Sequence, residues 1–320
     1  MKIPPFKTEP YFQSRPWGGR AMADTLGKKI PDGPVAEAWE VSAHPNGVCR
    51  VSGGALHGER LSDLVQEEGR ALLGEDAFQK YRGEFPLLVK LIDVNALASV
   101  QVHPNDAQAQ AMEGYPRGKT EAWYIIACGE NARFSLGLVP GTTAETFRSA
   151  LGRGQAQALL GSPRAASGDC LFVPPGTVHA AGNGVLLLEV QQSCDITYRV
   201  YDWNRVDEQG RTRELHVEKA LQVIDFQARP RVYRAREITD GVSRIVACEF
   251  FEMDEVRLVS GIDLPSRPCC STGTLVAGAC MLQSASDRVE LASGDSFVIP
   301  AGTPVRLGGG RATIVLTSLA

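Results

Sequence analysis

Ser167-Gly168-Asp169-Cys170-Leu171-Phe172-Val173-Pro174-Pro175-Gly176-Thr177 recurs as Ser293-Gly294-Asp295-Ser296-Phe297-Val298-Ile299-Pro300-Ala301-Gly302-Thr303, at a constant offset of 126 residues. Each copy reads as one mechanical unit. Gly-Asp makes a tight turn, an apolar run makes a strand, and Pro-x-Gly-Thr makes a second turn that aims the side chain after it. The copies differ at the aimed position. Residue 179 is His and residue 305 is Val, and the last histidine of the chain is His216. A metal-binding role for the unit therefore falls to the first copy alone.

The strand followed by Pro-x-Gly-Thr resembles the second motif of cupin jelly rolls. The resemblance implies an all-β protein with helical insertions, built as two cupin-like jelly-roll β-sandwiches. We expect a catalytic unit over residues 1–228, with an N-terminal segment and helical insertions. A C-terminal unit over 229–320 would lack metal ligands, and the boundary falls near 225–235, before strand signals resume at Val232.

The remaining patterns agree with a β-rich chain. Leu87–Asp93, Ala98–His103, Ala122–Ile126, Cys170–Val173, Val185–Gln191 and Thr197–Asp202 read as strands bounded by Gly, Pro, Asn or Asp. Glu37–Ser42 reads as another, ended by the turn His44-Pro45-Asn46-Gly47. Helices are expected over Leu61–Leu73, with Ser62 as N-cap, over Asp106–Glu113, and over Ala144–Leu160.

Composition bounds the function. With 320 residues, 43% hydrophobic and 22% charged, the chain can bury a large core. A formal net charge of −4 and the absence of any long Lys/Arg run argue against a nucleic-acid partner. No apolar run approaches the ~18 residues of a membrane span, and the opening Met1-Lys2-Ile3-Pro4-Pro5-Phe6 lacks a signal-peptide pattern, so a cytoplasmic protein is expected. The eight cysteines include no CxxC pair, and Cys128, Cys170 and Cys248 lie in apolar strand-like runs, which favours reduced, mostly buried thiols over disulfides or a zinc knot.

Four candidate metal ligands come from three stretches. Side chains alternate along a strand, so Ser99, Gln101 and His103 share a face. Glu121 opens the next strand, and His179 follows the first Pro-x-Gly-Thr turn. Two imidazoles, a carboxylate and an amide oxygen suit Zn²⁺ and can accept Fe²⁺, Mn²⁺ or Co²⁺. A lone histidine is more often a hydrogen-bonded core or surface residue. His103 and His179, however, stand in the two places where a cupin sandwich puts ligands. Lys119 lies on the face of Glu121, and Arg199 lies in a β run where an unpaired charge is costly. Trp39 reads as core; Glu37 is left open between a solvated and a functional position.

Longer motifs narrow the family. Pro16-Trp17-Gly18-Gly19, Glu37-Ala38-Trp39-Glu40-Val41-Ser42-Ala43-His44-Pro45-Asn46, Lys90-Leu91-Ile92-Asp93, Ser99-Val100-Gln101-Val102-His103-Pro104-Asn105-Asp106, Gly118-Lys119-Thr120-Glu121-Ala122-Trp123-Tyr124, Pro175-Gly176-Thr177-Val178-His179-Ala180 and Tyr198-Arg199-Val200-Tyr201-Asp202-Trp203-Asn204-Arg205 together resemble the type I mannose-6-phosphate isomerases of the short bacterial form. The resemblance runs from about Trp17 onward and weakens in the last third. Ala122 and Cys194 depart mildly from its usual pattern.

The resemblance implies a zinc-dependent aldose–ketose isomerase that interconverts mannose 6-phosphate and fructose 6-phosphate through an enediol. It implies one Zn²⁺ per chain on Gln101, His103, Glu121 and His179, and Lys119 and Arg199 in the active site. Substrate contacts are expected from Trp17, Glu37, Ser99, Glu189, Asp195 and Arg205. The expected partner is a small sugar phosphate, with no nucleic acid and no membrane, for a monomer or weak homodimer. Two rivals remain. A cupin dioxygenase usually carries three histidines at its metal. A non-catalytic sugar-binding protein would be expected to have lost a ligand or the Lys/Arg pair, and here all six positions are filled.

Overall fold

The computed structural model describes residues 3–206 and 209–320, so Met1 and Lys2 of the opening stretch lie outside it. The architecture is mostly β, as the alternation and turn spacing predict, and its strands form three antiparallel sheets. A seven-stranded sheet runs in the order Val232–Arg234, Asp169–Val173, Glu121–Cys128, Val185–Gln192, Leu87–Val94, Glu37–Val41 and Tyr11–Gln13. A four-stranded sheet faces it, in the order Tyr198–Tyr201, Val100–Val102, His179–Gly182 and Arg133–Leu136. An eleven-stranded sheet takes most of its strands from the C-terminal third.

Period-2 geometry explains the layering. Along Leu87–Val94, Leu87, Val89 and Leu91 point outward into a core shared with the eleven-stranded sheet, beside Met253, Val298, Val315 and Leu319. Ile92 and Val94 point inward, into a core shared with Phe134, Leu136 and Ala181 of the four-stranded sheet. All eight residues of this strand are buried, which is why it reads as a continuous apolar run. The back of the four-stranded sheet is covered by the helical insertions through Phe147, Ala156, Ala220 and Val223.

The repeat is visible in the backbone. Gly168 and Gly294 have φ of 89° and 87°, and Gly176 and Gly302 have φ of 80° and 69°. Each turn thus needs the left-handed backbone that glycine adopts without strain. At Gly176 a side chain would also meet the Val223 carbonyl oxygen at 2.8 Å. The first turn delivers His179 into the space between the two smaller sheets; the second delivers Val305 into the apolar core of the C-terminal third.

Strands cross residue 228 in both directions. Phe6–Glu9 pairs with Ser296–Ile299 of the eleven-stranded sheet, and Val232–Arg234 pairs with Asp169–Val173 of the seven-stranded sheet. Two polar ties reinforce the junction. The Lys28 ammonium donates to Glu40 at 3.1 Å and to the Gly294 carbonyl at 2.5 Å. The Tyr124 hydroxyl donates to Glu255 at 2.6 Å with both side chains buried.

Three expectations need adjustment. The 61–73 helix forms, but Arg60 is its N-cap, in extended backbone, and the Ser62 hydroxyl donates to Asp63 instead. The third helix stops at Gly152; Gly154 turns left-handed, and a short 3-10 turn follows over Ala156–Leu159. Cys248 lies beyond the end of Val242–Ala247 rather than in a strand. All eight cysteines are free thiols, five of them buried.

The Tyr124–Glu255 tie yields a stability prediction. Removing a donor from a buried carboxylate costs roughly 1.5–3 kcal/mol. Tyr124→Phe should lower the unfolding free energy by that order in a urea titration, because Arg257 alone, at 2.6 Å, then satisfies Glu255. An unchanged midpoint would show that the hydroxyl does not tie the sheets.

Candidate active site

The functional side chains stand in two facing rungs set by strand register. On the four-stranded sheet, Gln101 pairs with Arg199 on one side and with His179 on the other, so the three stand abreast. On the seven-stranded sheet, Lys90 pairs with Glu189, and Glu189 with Trp123. Glu121 pairs with Gln191 two residues away, on the same inward face as Trp123. Register therefore places these polar side chains on neighbouring rungs of the two facing sheets.

His103, Glu121 and His179 converge, all buried, with one candidate ligand atom of each within 4.8 Å of the others. Glu121 Oε1 lies 3.1 Å from His179 Nε2, and Oε2 lies 3.5 Å from His103 Nε2. The Gln101 amide nitrogen is 3.2 Å from His179 Nε2, and a half-turn of the amide puts its oxygen there instead. Both histidines are oriented from behind. His103 Nδ1 meets the Ile196 carbonyl at 2.9 Å, and His179 Nδ1 meets the Thr177 carbonyl at 2.8 Å. Nδ1 is thereby the protonated nitrogen in each, and the Nε2 lone pairs point into the cluster.

Electrostatics favour the same assignment. Burial pushes the His179 imidazole down to about 4, and burial, with Lys119 and His179 adding to it, pushes His103 well below its ordinary value. Both are neutral at pH 7, the state that ligates. Burial pushes the Glu121 carboxyl up, against the pull of Lys119, so the ammonium alone does not offset the cost of burying its ionised form. His103 Nε2 and both Glu121 oxygens are buried without a hydrogen bond, although Lys119 Nζ approaches Oε2 as an ion pair at 3.1 Å. Donor separations of 3.1–3.5 Å are those of ligands sharing one ion at bonds of about 2.0–2.2 Å. The residues fit a divalent metal. Among the described residues this is the one such cluster of His, Cys, Asp and Glu.

Above the cluster lies a cavity of about 320 Å³. Gln101, Lys119, Arg199, Trp17, Glu37, Ser99, Glu189 and Asp195, all expected from the sequence, line it. Ser99 Oγ accepts from Arg199 Nε at 3.2 Å. Asp195 accepts from Asn46 of the His44–Gly47 turn at 3.0 Å. Arg205 does not line the cavity: its guanidinium donates to the Leu97 carbonyl and lies 3.9 Å from Asp202. Trp203 and Asn204, at φ of 57° and 54°, turn the chain just before it.

Lys90 also lines the cavity, though the sequence reading assigns it no role. It is buried, 3.2 Å from Glu189 Oε1 and 3.6 Å from Glu37 Oε2, with its ammonium 4.9 Å from the Trp39 ring centre. Its signal was a lysine in the middle of an apolar run. Burial alone would raise the Glu189 carboxyl, but Lys119 and Lys90 outweigh it and hold that group well down. Trp123 Nε1 adds a hydrogen bond to Glu189 at 2.8 Å. Arg15 and Arg213, also unassigned from sequence, stand in the cavity wall.

Known proteins share this chain's sequence and fold. Residues 6–129 match the family model described as phosphomannose isomerase type I, catalytic domain. The chain is 35% identical over 300 residues to the probable mannose-6-phosphate isomerase GmuF of Bacillus subtilis, covering 93% of each protein. It is 36% identical over 305 residues to the mannose-6-phosphate isomerase ManA of the same organism, covering 94% of this chain and 95% of that one. The crystal structure of a mannose 6-phosphate isomerase from Bacillus subtilis superposes with a TM-score of 0.89 at 32% identity, over 98% of this chain and 99% of that one. The cupin fold read from the repeated turn is thus shared along nearly the whole length, and this chain belongs to the type I phosphomannose isomerase family.

Proposed function

We propose that the protein interconverts mannose 6-phosphate and fructose 6-phosphate, with one Zn²⁺ per chain held by Gln101, His103, Glu121 and His179. The observation that carries this reading is the rung Arg199–Gln101–His179 facing a buried Glu121 whose two oxygens have no hydrogen bond. The names of the relatives that span over nine-tenths of the chain support the substrate. In this reading residues 1–228 carry the chemistry and 229–320 serve as structural support. No helix of the structure is long and apolar enough to cross a membrane, in keeping with a cytoplasmic enzyme acting on a small metabolite.

Aldose–ketose isomerisation moves a proton between C1 and C2 of the open-chain sugar, and the barrier is set by negative charge developing on its oxygens. The bound metal supplies Lewis-acid stabilisation of that charge. Lys119 and Arg199, which line the same cavity, add fixed positive charge. Burial would lower the Lys119 ammonium, but Glu121, Glu189 and Asp195 outweigh it and hold it above its ordinary value. Lys119 therefore works as a charged donor to a sugar oxygen rather than as a base. Glu37 and Glu189 are both tied to Lys90 and to a tryptophan N–H, so they suit hydroxyl contacts, beside Trp17 and Ser99. Asp195 is the cavity carboxylate without a lysine or arginine within salt-bridge distance, and we assign it the proton transfer. Arg205 acts from outside the cavity in this scheme, fixing the loop that carries Leu97.

Three outcomes test the scheme. A chelator should abolish turnover of mannose 6-phosphate and Zn²⁺ should restore it, with about one metal per chain by mass spectrometry; full activity in a metal-free sample would refute the metal's role. Arg199→Ala should cut kcat by at least about 100-fold while metal content stays at one per chain, whereas loss of metal would make Arg199 structural. Asp195→Asn should lower kcat by about 10²–10⁴ with little change in KM, and an unchanged rate of hydrogen exchange at C2 would move the base elsewhere.

A further inference from the structure

The cavity has two electrostatic ends. At its floor, Lys90 and Lys119 are interleaved with Glu37, Glu121 and Glu189, and each ammonium lies within 3.6 Å of a carboxylate oxygen. Arg199 stands with them beside Gln101, and two further arginines, Arg15 and Arg213, line the more exposed wall from separate parts of the chain. The carboxylates there do not match them. Asp202 accepts from Arg213 at 2.7 and 2.5 Å, and Glu37, already held by Lys90, comes only to 3.9 Å from Arg15.

The arginines also keep donors in reserve. Arg213 uses Nε and Nη2 on Asp202, which leaves Nη1 without a hydrogen bond among the described residues. Arg199 uses Nε on Ser99 and Nη1 on the Glu214 carbonyl, at 3.2 and 3.0 Å, and leaves Nη2 in the same condition. The guanidiniums feel one another: burial and then Arg213 push the Arg199 value down, and Arg15 adds to this. Like charges gathered in a cavity wall with unused donors are unfavourable unless an anion binds there.

Register fixes the order along the cavity. Arg199 stands directly beside Gln101, so it belongs to the floor, next to the metal ligands. Arg213 and Arg15 reach further into solvent, with side chains 29% and 44% exposed against 4% for the two lysines, so they belong toward the mouth. We infer that Arg213 and Arg15 hold the phosphate of the sugar phosphate at the cavity mouth, which leaves Arg199 and Lys119 to the reacting C1–C2 end. This rests on the proposed isomerase reading and divides its cationic residues into two tasks. A phosphate dianion suits the mouth, because planar guanidinium forks bind it while part of its hydration is kept.

The test separates this inference from the isomerase assignment. Arg213→Lys keeps a positive charge beside buried Asp202 but removes the fork, and Arg15→Gln alters a rim residue whose loss buries no unpaired charge. Each should raise KM for mannose 6-phosphate about tenfold or more with kcat within threefold. Each should weaken competitive inhibition by inorganic phosphate in parallel. Titration calorimetry of the zinc-loaded protein with inorganic phosphate reads the same site without turnover, so a wild type inactive on mannose 6-phosphate would sink the isomerase reading alone. Phosphate affinity unchanged in both folded variants would overturn the inference. So would a fall in kcat at constant KM.

Discussion

A fully buried carboxylate, Glu121, is the constraint around which the molecule is arranged. Taking an ionised carboxylate out of water is expensive, and the cost is recovered only by close partners of opposite charge. The chain supplies one ammonium at 3.1 Å and two imidazoles that burial keeps neutral. That leaves a deficit of positive charge which a divalent cation makes good. The backbone carbonyls of Ile196 and Thr177 belong to the same arrangement, since they fix which imidazole nitrogen faces Glu121. Rigidity around such a site matters, because ligands displaced by even an ångström lose the shared ion.

The rigidity comes from the sheet behind it. Glu121–Cys128, Val185–Gln192 and Leu87–Val94 each present a polar, cavity-facing side and an apolar outer side. The outer side must be covered, and the C-terminal third covers it with Met253, Val298, Val315 and Leu319. The second copy of the repeat thus keeps the turn geometry of the first, with Val305 in place of the ligand His179. Exchanged strands and the Lys28–Glu40–Gly294 tie fasten the cover to the sheet it supports. One turn geometry thus presents a histidine to the site in one copy and a valine to an apolar core in the other.

What the sequence revealed follows from which signals are local. The glycine and proline turns are local, so the repeat and its aimed residues 179 and 305 are legible. Alternation in Ser99–His103 is local too, and it correctly groups Ser99 with Gln101 in the cavity. Lys90 was missed because its strand is buried on both faces, and such a run carries no alternation to show which way a side chain points. Its partner Glu189 is far off in the sequence and is brought abreast only by sheet pairing. Arg205, expected among the substrate contacts, does not line the cavity: two consecutive left-handed residues precede it and its guanidinium donates to the Leu97 carbonyl. The Ser62 cap failed similarly, since the chain leaves extended backbone at Arg60 and the cap falls two residues earlier than Ser62.

The division of charge along the cavity bears on why one sandwich can take a polar, flexible sugar and act on only one of its ends. A floor in which both lysines have a carboxylate within 3.6 Å has little residual field from them. A wall with more guanidiniums than carboxylates has a residual field already, and that field attracts the most highly charged group on the substrate. On the proposed assignment, a sugar phosphate would enter with its charged end drawn to the wall and its uncharged carbonyl end directed to the metal ligands. Orientation is settled by electrostatics before any hydroxyl contact forms. The hydroxyl contacts of Ser99, Glu37 and Glu189 are then left to discriminate stereochemistry, a task for which short, fixed hydrogen bonds are suited and long-range charge is not.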